Sequence, residues 1–347
     1  LTMKVNLISD TFTVPSKAMI SAMMKAEVGD DVFKEDPTLN DLEKRVAELF
    51  GMEAGLFFPS GTMSNQVAIK IHTQPGDQLI CDKYSHIFHY EGGGVSFNSG
   101  VSCNLVDGER GILNKRQIEQ SINPADFYHS PPTTLVSLEN TSNKGGGTCY
   151  NLTTLKSISE LCKENDISIH LDGARIWNAL VATNTNAIDY GKLFDTISVC
   201  FSKGLGCPIG SMLLGNNSII KKAIRYRKAL GGGMRQVGYI AAAANYALDN
   251  HVKDLAKDHE KAFQLGELLS KLPYVDEIQP IETNIVIFSL TSNYDENVFI
   301  ETLAKKNIRL IQLGKGKIRM VTHRNYTDED HLFTMETLNN LNLNPKP

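Results

Sequence analysis

Three short stretches carry residue types that could do chemistry. In SVCFSKGLGCPIGS, residues 198–211, Lys203 follows an apolar, β-leaning run and is surrounded by glycines. Removal from water disfavours the ammonium form, lowers a lysine pKa by up to ~3–5 units and leaves an amine able to form a Schiff base. In HLDGARIWNA, residues 170–179, Asp172 ends a second apolar run, and a carboxylate buried there needs a cationic partner. In FFPSGTMSNQV, residues 57–67, a strand gives way to Ser60, Gly61 and Thr62 and then to a helix. Such a junction offers unpaired N–H groups at a positive helix terminus, which suits a phosphate.

Each stretch alone has an ordinary reading. Lys203 is then a solvent-facing lysine in a glycine loop, Asp172 an N-cap or a surface partner of Arg175, and Ser60 and Thr62 favoured helix caps. Taken together, in this chain order, they supply what pyridoxal phosphate requires: phosphate anchorage, a partner for the pyridinium nitrogen and a lysine to bond to. Lys203 is therefore expected to carry that cofactor covalently. The same loop contains GLGCPIG, a near miss for a dinucleotide-binding turn. It fails because position 209 is isoleucine and the residues after Pro208 read as a strand rather than a helix.

These residues need elements to hold them. Helical and strand periodicities alternate along the chain, which predicts an α/β fold with a largely parallel central sheet. PTLNDLEKRVAELFG (37–51) places Leu39, Leu42, Val46, Leu49 and Phe50 at helical spacing before a glycine stop. AGLFF, DQLICD (77–82), TLVSLEN (134–140), ISIHLDG (167–173), TISVCFSK (196–203) and PIGSMLLG (208–215) read as strands, with LTTLKSISELCKEND as a helix between two of them. Ser60, Glu139, Asn140, Asp172 and Lys203 fall at carboxyl ends of these strands, the edge where open α/β sheets bind ligands. A long helical region spans about 217–265. The expected division is a large domain over 1–248 and a small C-terminal α+β domain over 249–347, with the N-terminal segment 1–15 packing against the small one.

Composition excludes other classes. Among 347 residues, 35 basic and 39 acidic side chains give a net charge of −4, so no nucleic-acid partner is expected. The opening LTMKVNLISD has no signal-peptide core, and the greasiest run, YIAAAANYAL (239–248), is too short to span a bilayer. No membrane association and a cytoplasmic location are expected, with Met3 a candidate natural start. Six cysteines without a CxxC pair read as free thiols, and no metal site is expected.

The motifs SDTFTVP, AEVGDDVFKEDPTLNDLE, FPSGTMSNQ, SHIFHYEGGG, SLENT, HLDGARIWNA, SKGLGCPIGS, LGGGMRQVG and IRMVTH, in that order, cover almost the whole chain. In this the chain resembles the low-specificity L-threonine aldolases, of the aspartate-aminotransferase-like (fold type I) group of pyridoxal phosphate enzymes. The resemblance implies that Lys203 carries the cofactor, Asp172 holds its ring nitrogen protonated, and Ser60, Gly61 and Thr62 bind its phosphate. It further implies that His86 stacks on the ring near the substrate hydroxyl, and that Ser9, Arg175 and Arg319 grip the substrate carboxylate, with Arg175 also close to the cofactor. Arg235 resembles an arginine that binds the phosphate across a subunit interface.

The implied reaction is cleavage of L-threonine, L-allo-threonine and related β-hydroxy-α-amino acids to glycine and an aldehyde, by a homotetrameric dimer of dimers. Two positions depart from the family pattern. Ser142 stands where many relatives have a histidine near the substrate hydroxyl, and Ile8 where they have arginine. Serine is not a base at neutral pH without help, so proton removal falls to His86 or a water. The alternatives are a β-eliminating lyase on the same scaffold and a pyridoxal-phosphate-binding protein without catalysis.

Overall fold

The helix Pro37–Phe50 illustrates how local signals set the elements. Asp36 caps it by accepting from the Leu39 amide, Pro37 occupies its first turn, and Gly51 ends it at φ +64°, a left-handed conformation that suits glycine. Leu39, Leu42, Val46 and Phe50 are buried as expected. Leu49 is 46% exposed, because a stripe running through 39, 42, 46 and 50 turns position 49 outward. A computed structural model describes residues 4–314 and 316–343 of the chain; Met3 lies outside the described residues.

The strands in chain order are β1 (Val5–Asn6), β2 (Ala54–Phe58), β3 (Gln78–Asp82), β4 (Ser102–Val106), β5 (Thr133–Glu139), β6 (Ser168–Gly173), β7 (Thr196–Cys200), β8 (Ser211–Gly215), β9 (Val275–Ile278), β10 (Ile285–Leu290), β11 (Ile308–Arg309), β12 (Ile311–Gly314) and β13 (Lys317–Val321). A seven-stranded sheet has the order β2-β8-β7-β6-β5-β3-β4, and every strand but β8 runs the same way. Its inner strands are buried on both faces, which is why they read as nearly unbroken apolar runs. The edge strand β4 carries a mixed, half-exposed SCNLV, has no clean period and was not expected. Strand β7 stops at Cys200, three residues short of the expected Lys203. There the Phe201 amide turns to the Gly210 carbonyl at 3.0 Å and opens a loop back to β8.

The remaining residues form an antiparallel sheet, β12-β13-β10-β9. Its core joins Val286, Phe288, Ile318 and Met320 to Phe299 and Leu303 of the helix Glu296–Lys305, and also contains Val5 and Leu7. Strand β1 lies parallel to β11, and the Val321 amide donates to the Leu7 carbonyl at 2.9 Å. The helix Leu255–Leu269 links the two cores: Leu255 belongs to that of the large sheet, Ala262, Leu265 and Leu269 to the other.

Candidate active site

The carboxyl ends of β2, β6 and β7 meet at a cavity of about 410 Å3, within the range of small-molecule sites. Ser60, Gly61, Thr62, His86, Asp172 and Lys203 all line it. At one end the helix Gly61–His72 begins. The Ser60 hydroxyl accepts from the Met63 amide at 3.2 Å, and the Ser64 amide returns to the Ser60 carbonyl. That leaves the Gly61 and Thr62 amides free for an anion. A Cβ on Gly61 would stand 2.8 Å from Cys200 Sγ, so this approach of helix to strand requires glycine.

Asp172 lies one residue before the end of β6, buried, and Glu139 sits beside it in register on β5. Asp172 Oδ1 accepts from the Ala174 amide at 3.1 Å, and Oδ2 from Asn65 Nδ2 at 2.9 Å. The same Asn65 nitrogen donates to Glu91 at 2.8 Å, and Glu91 accepts from His86 Nδ1 at 3.0 Å. The side-chain donor atoms of His86, Glu91 and Asp172 lie within 4.8 Å of one another. Burial opposes charge on His86, but its bond to Glu91 and the charges of Asp172, Glu91 and Glu139 outweigh it and raise its pKa above the usual 6.5. Burial, and then the Asp172 charge, push Glu139 up to about 7. The Glu139 carboxylate accepts from the backbone amides of His86 at 2.8 Å and Asn143 at 2.9 Å, so it pins two loops to the sheet edge.

Lys203 is half-buried, less withdrawn from water than its sequence context suggested. Its carbonyl accepts from Thr13 Oγ1 at 2.8 Å, which ties the N-terminal segment to the lysine loop.

The third group of residues lies beyond the lysine. The Arg175 guanidinium meets Asp10 in a two-pronged pair, Nε to Oδ2 and Nη2 to Oδ1, both 2.8 Å. Burial works to raise the Asp10 pKa, but Arg175, Lys203 and Asn284 bring it down to about 2. Asp10 thus occupies two of the arginine's donor nitrogens and leaves Nη1. Arg319 donates to Asn143 Oδ1 at 2.7 Å and to the Ile8 carbonyl at 3.0 Å, while its Nε is buried with no partner. Burial and the neighbouring Arg175 lower its pKa to about 10, still cationic at neutral pH. Two guanidiniums against one carboxylate leave a net positive charge and an orphaned donor, a combination that fits a carboxylate ligand. Ser9 borders this group, its hydroxyl accepting from the Thr11 amide at 3.2 Å. Ile8 contributes only its carbonyl, which any residue supplies.

Besides Ser9, Arg175 and Arg319, which lie in the neighbouring group, two expected residues do not line the cavity. The Ser142 hydroxyl is buried within its own loop, where it accepts from the Gly145 amide at 3.2 Å and sits where a Cβ on Gly111 would be. Arg235 is 57% exposed at its side chain and pairs with Asp30 at 2.8 Å, away from the cavity of its own chain. Asp10, Asn65 and Glu91 were not singled out, although they lie within the quoted SDTFTVP, FPSGTMSNQ and SHIFHYEGGG motifs; Glu139 was placed at the ligand-binding edge but given no role. His89, close in sequence to His86, bonds instead to the Lys83 carbonyl at 2.7 Å.

The donor set fits pyridoxal phosphate: free helix-terminal amides for a phosphate, a buried carboxylate for a ring nitrogen and an amine between them. The sequence profile of the beta-eliminating lyase family matches residues 6–292. The low specificity L-threonine aldolase of Escherichia coli K12 is 39% identical over 326 residues, covering 94% of this chain and 95% of that protein. The probable low-specificity L-threonine aldolase 2 of Arabidopsis thaliana is 39% identical over 332 residues, covering 94% of each. The solved threonine aldolase of Leishmania major, 22% identical, superposes with a TM-score of 0.82 over 96% of this chain and 98% of that one, so the fold is shared. The chain belongs to the beta-eliminating lyase family, with the low-specificity L-threonine aldolases among its relatives, and is a carbon-carbon lyase of the fold type I pyridoxal phosphate enzymes.

Proposed function

We propose that this chain cleaves L-threonine, L-allo-threonine and related β-hydroxy-α-amino acids to glycine and an aldehyde, acetaldehyde in the case of threonine. The observation that carries the reading is one cavity holding a loop lysine just past a strand, a strand-end aspartate, a capped helix terminus and a histidine, with two arginines beyond the lysine. When bound, pyridoxal phosphate supplies the electron sink for breaking the Cα–Cβ bond. Lys203 Nζ would hold it covalently, the Ser60, Gly61 and Thr62 segment its phosphate, and Asp172 its ring nitrogen.

The protein's own work is orientation and proton transfer. Arg319 Nε and Arg175 Nη1, with Ser9, grip the substrate carboxylate and so select which Cα bond is broken. His86 takes the β-hydroxyl proton. Its Nδ1 is committed to Glu91, which leaves Nε2 for the substrate. With Ser142 turned into its own loop, His86 is the base this reading relies on.

The reading extends to a homo-oligomer in which Arg235 serves a neighbouring site, supported by its exposure and distance from the cavity of its own chain. A large domain bearing the cavity and a small one that joins the N-terminal segment in supplying Arg319 is the proposed division, supported by the two cores. Among the described residues no helix is long and apolar enough to cross a membrane. The six free cysteines support a reducing, cytoplasmic location.

Purified protein supplied with pyridoxal phosphate and given L-threonine or L-allo-threonine is expected to release glycine and acetaldehyde, and Lys203→Ala to release neither. Ammonia and a keto acid as products would instead establish the β-eliminating reaction. Bound cofactor without turnover of either substrate would overturn both.

A further inference from the structure

In the cleavage proposed above, Glu91 enters only as the group that occupies His86 Nδ1. Glu91 follows the short helix His86–His89 and precedes Gly92 and Gly93, whose φ values of +63° and +72° turn the chain sharply. The turn is fixed from below, since a Cβ on Gly94 would stand 2.6 Å from the Gln66 amide. The Glu91 carboxylate is thereby carried under the cavity with no solvent exposure. It accepts three hydrogen bonds there: from Asn65 Nδ2 at 2.8 Å, Gln66 Nε2 at 2.6 Å and His86 Nδ1 at 3.0 Å. Two of these donors are neutral amides. A carboxylate this deep is stabilised by a charged partner, and of its three donors only the imidazole can become one.

The bonding also fixes protons. A carboxylate only accepts, so His86 Nδ1 carries hydrogen in both ionisation states, and the neutral ring exposes a bare Nε2. Asn65 is locked in turn. Its Oδ1 pairs with His170 Nε2 at 3.2 Å, and His170 Nδ1 pairs with Thr196 Oγ1 at 2.9 Å. Carboxylates only accept, so Asn65 must point its NH2 toward them, where one nitrogen serves both Glu91 and Asp172, and its Oδ1 toward His170. Burial lowers the His170 pKa to about 3, and the neutral ring then donates to that oxygen through Nε2.

We propose that Glu91 is a positioning residue for the reaction: it holds His86 in the Nδ1–H form with Nε2 toward the substrate, favours uptake of a proton there, and shares the Asn65 amide with Asp172 so that the base and the ring-nitrogen partner sit in one fixed frame. This rests on the aldol reading of the site. The charged and titratable groups facing His86 are Glu91, Asp172, Glu139, Tyr90, whose ring centroid is 5.5 Å away, and Lys203 across the cavity.

The test compares the parent holoenzyme with Glu91→Gln by two readouts. In the pH profile of kcat/KM for L-threonine, loss of the carboxylate is expected to move the acid limb down by about one pH unit, a tenfold fall in His86 proton affinity, as a neighbouring opposite charge does. A purely structural defect would lower the plateau without moving the limb. Independently, 15N-histidine NMR of the parent, with His86 assigned by comparison with His86→Asn, is expected to show a neutral ring protonated at Nδ1 and titrating above pH 6.5. A limb that stays put in folded, cofactor-loaded Glu91→Gln overturns the proposal, as does an Nε2–H ring in the parent. The NMR result decides the matter if Glu91→Gln does not fold. It also stands apart from turnover, so a parent that releases no acetaldehyde refutes the aldol reading and leaves the His86 tautomer still measurable.

Discussion

The cofactor end of the cavity and its carboxylate end are made in different ways. At the first, Ser60, Gly61, Thr62, Asp172 and Lys203 all lie within a few residues of the carboxyl end of a strand of one sheet, Lys203 in the loop after β7, and their placement is set by that edge. At the second, Asp10, Arg175 and Arg319 come from three segments far apart in the chain: backbone pairing brings the N-terminal segment to β13, and side-chain bonds join Asp10 to Arg175 and Arg319 to Asn143 and the Ile8 carbonyl. Chemistry that needs a rigid platform lies on the sheet. Recognition lies where two cores meet, on groups that can be altered without disturbing the sheet.

That contrast can be sharpened or broken by mutation. His86→Ala, at the sheet end, is expected to lower kcat by roughly 10²–10⁴-fold, the usual range for a lost general base, while the bound cofactor's absorbance persists. A loss smaller than that of Ser142→Ala would reverse the roles assigned to the two residues. Asp10→Asn strands the buried Arg175 charge and is expected to cost about 3–5 kcal/mol in denaturant unfolding at neutral pH. The sign with pH is fixed: the folded pKa of Asp10, about 2, lies below its ordinary 3.8, so its stabilisation is complete above about pH 4 and is lost as pH falls toward 2. The gap between parent and variant is therefore expected to narrow over that window, and a gap independent of pH would mean that Arg175 finds another partner.

Arg319→Leu removes charged donors without touching the sheet. It is expected to raise KM by roughly 10–100-fold, matching hydrogen bonds to charged groups worth about 1.5–3 kcal/mol, with a smaller change in kcat. A pure kcat effect would place Arg319 with the cofactor end instead. Smallest is Ser142→Ala, expected to change the rate on L-threonine by less than about 3-fold, because its hydroxyl serves a loop amide.

The same contrast explains what was legible in the sequence. Strand-end residues announce themselves: an apolar run stops, a polar residue appears, and glycine or a cap follows, as at Asp172 and Ser60. Lys203 was found that way, although its strand ends earlier and the lysine sits three residues into a loop. Asp10 gave no such signal, since its partners Arg175 and Asn284 are 165 and 274 residues distant. Glu91 was hidden differently. It lies in a glycine-rich turn after a helix of only four residues, and its carboxylate is met by Asn65 and Gln66 of a helix that drew attention only for its N-terminus. Ser142 shows the converse error: a motif position draws attention by its departure, yet loop closure against Gly111 and Gly145 takes its side chain elsewhere.

The pairing of β1 with β11, and of Leu7 with Val321, has a consequence for synthesis on the ribosome. Residues 54–215 contain the whole large sheet and, of the cavity's lining, Ser60, Gly61, Thr62, His86, Asp172 and Lys203, and can begin to organise as soon as they emerge. Residues 5–8 must wait for partners about 300 positions downstream, a long loop closure that only a nearly finished chain can make. A nascent chain thus assembles the sheet side of the cavity well before its N-terminal segment can meet β13 and bring the Ile8 carbonyl to Arg319.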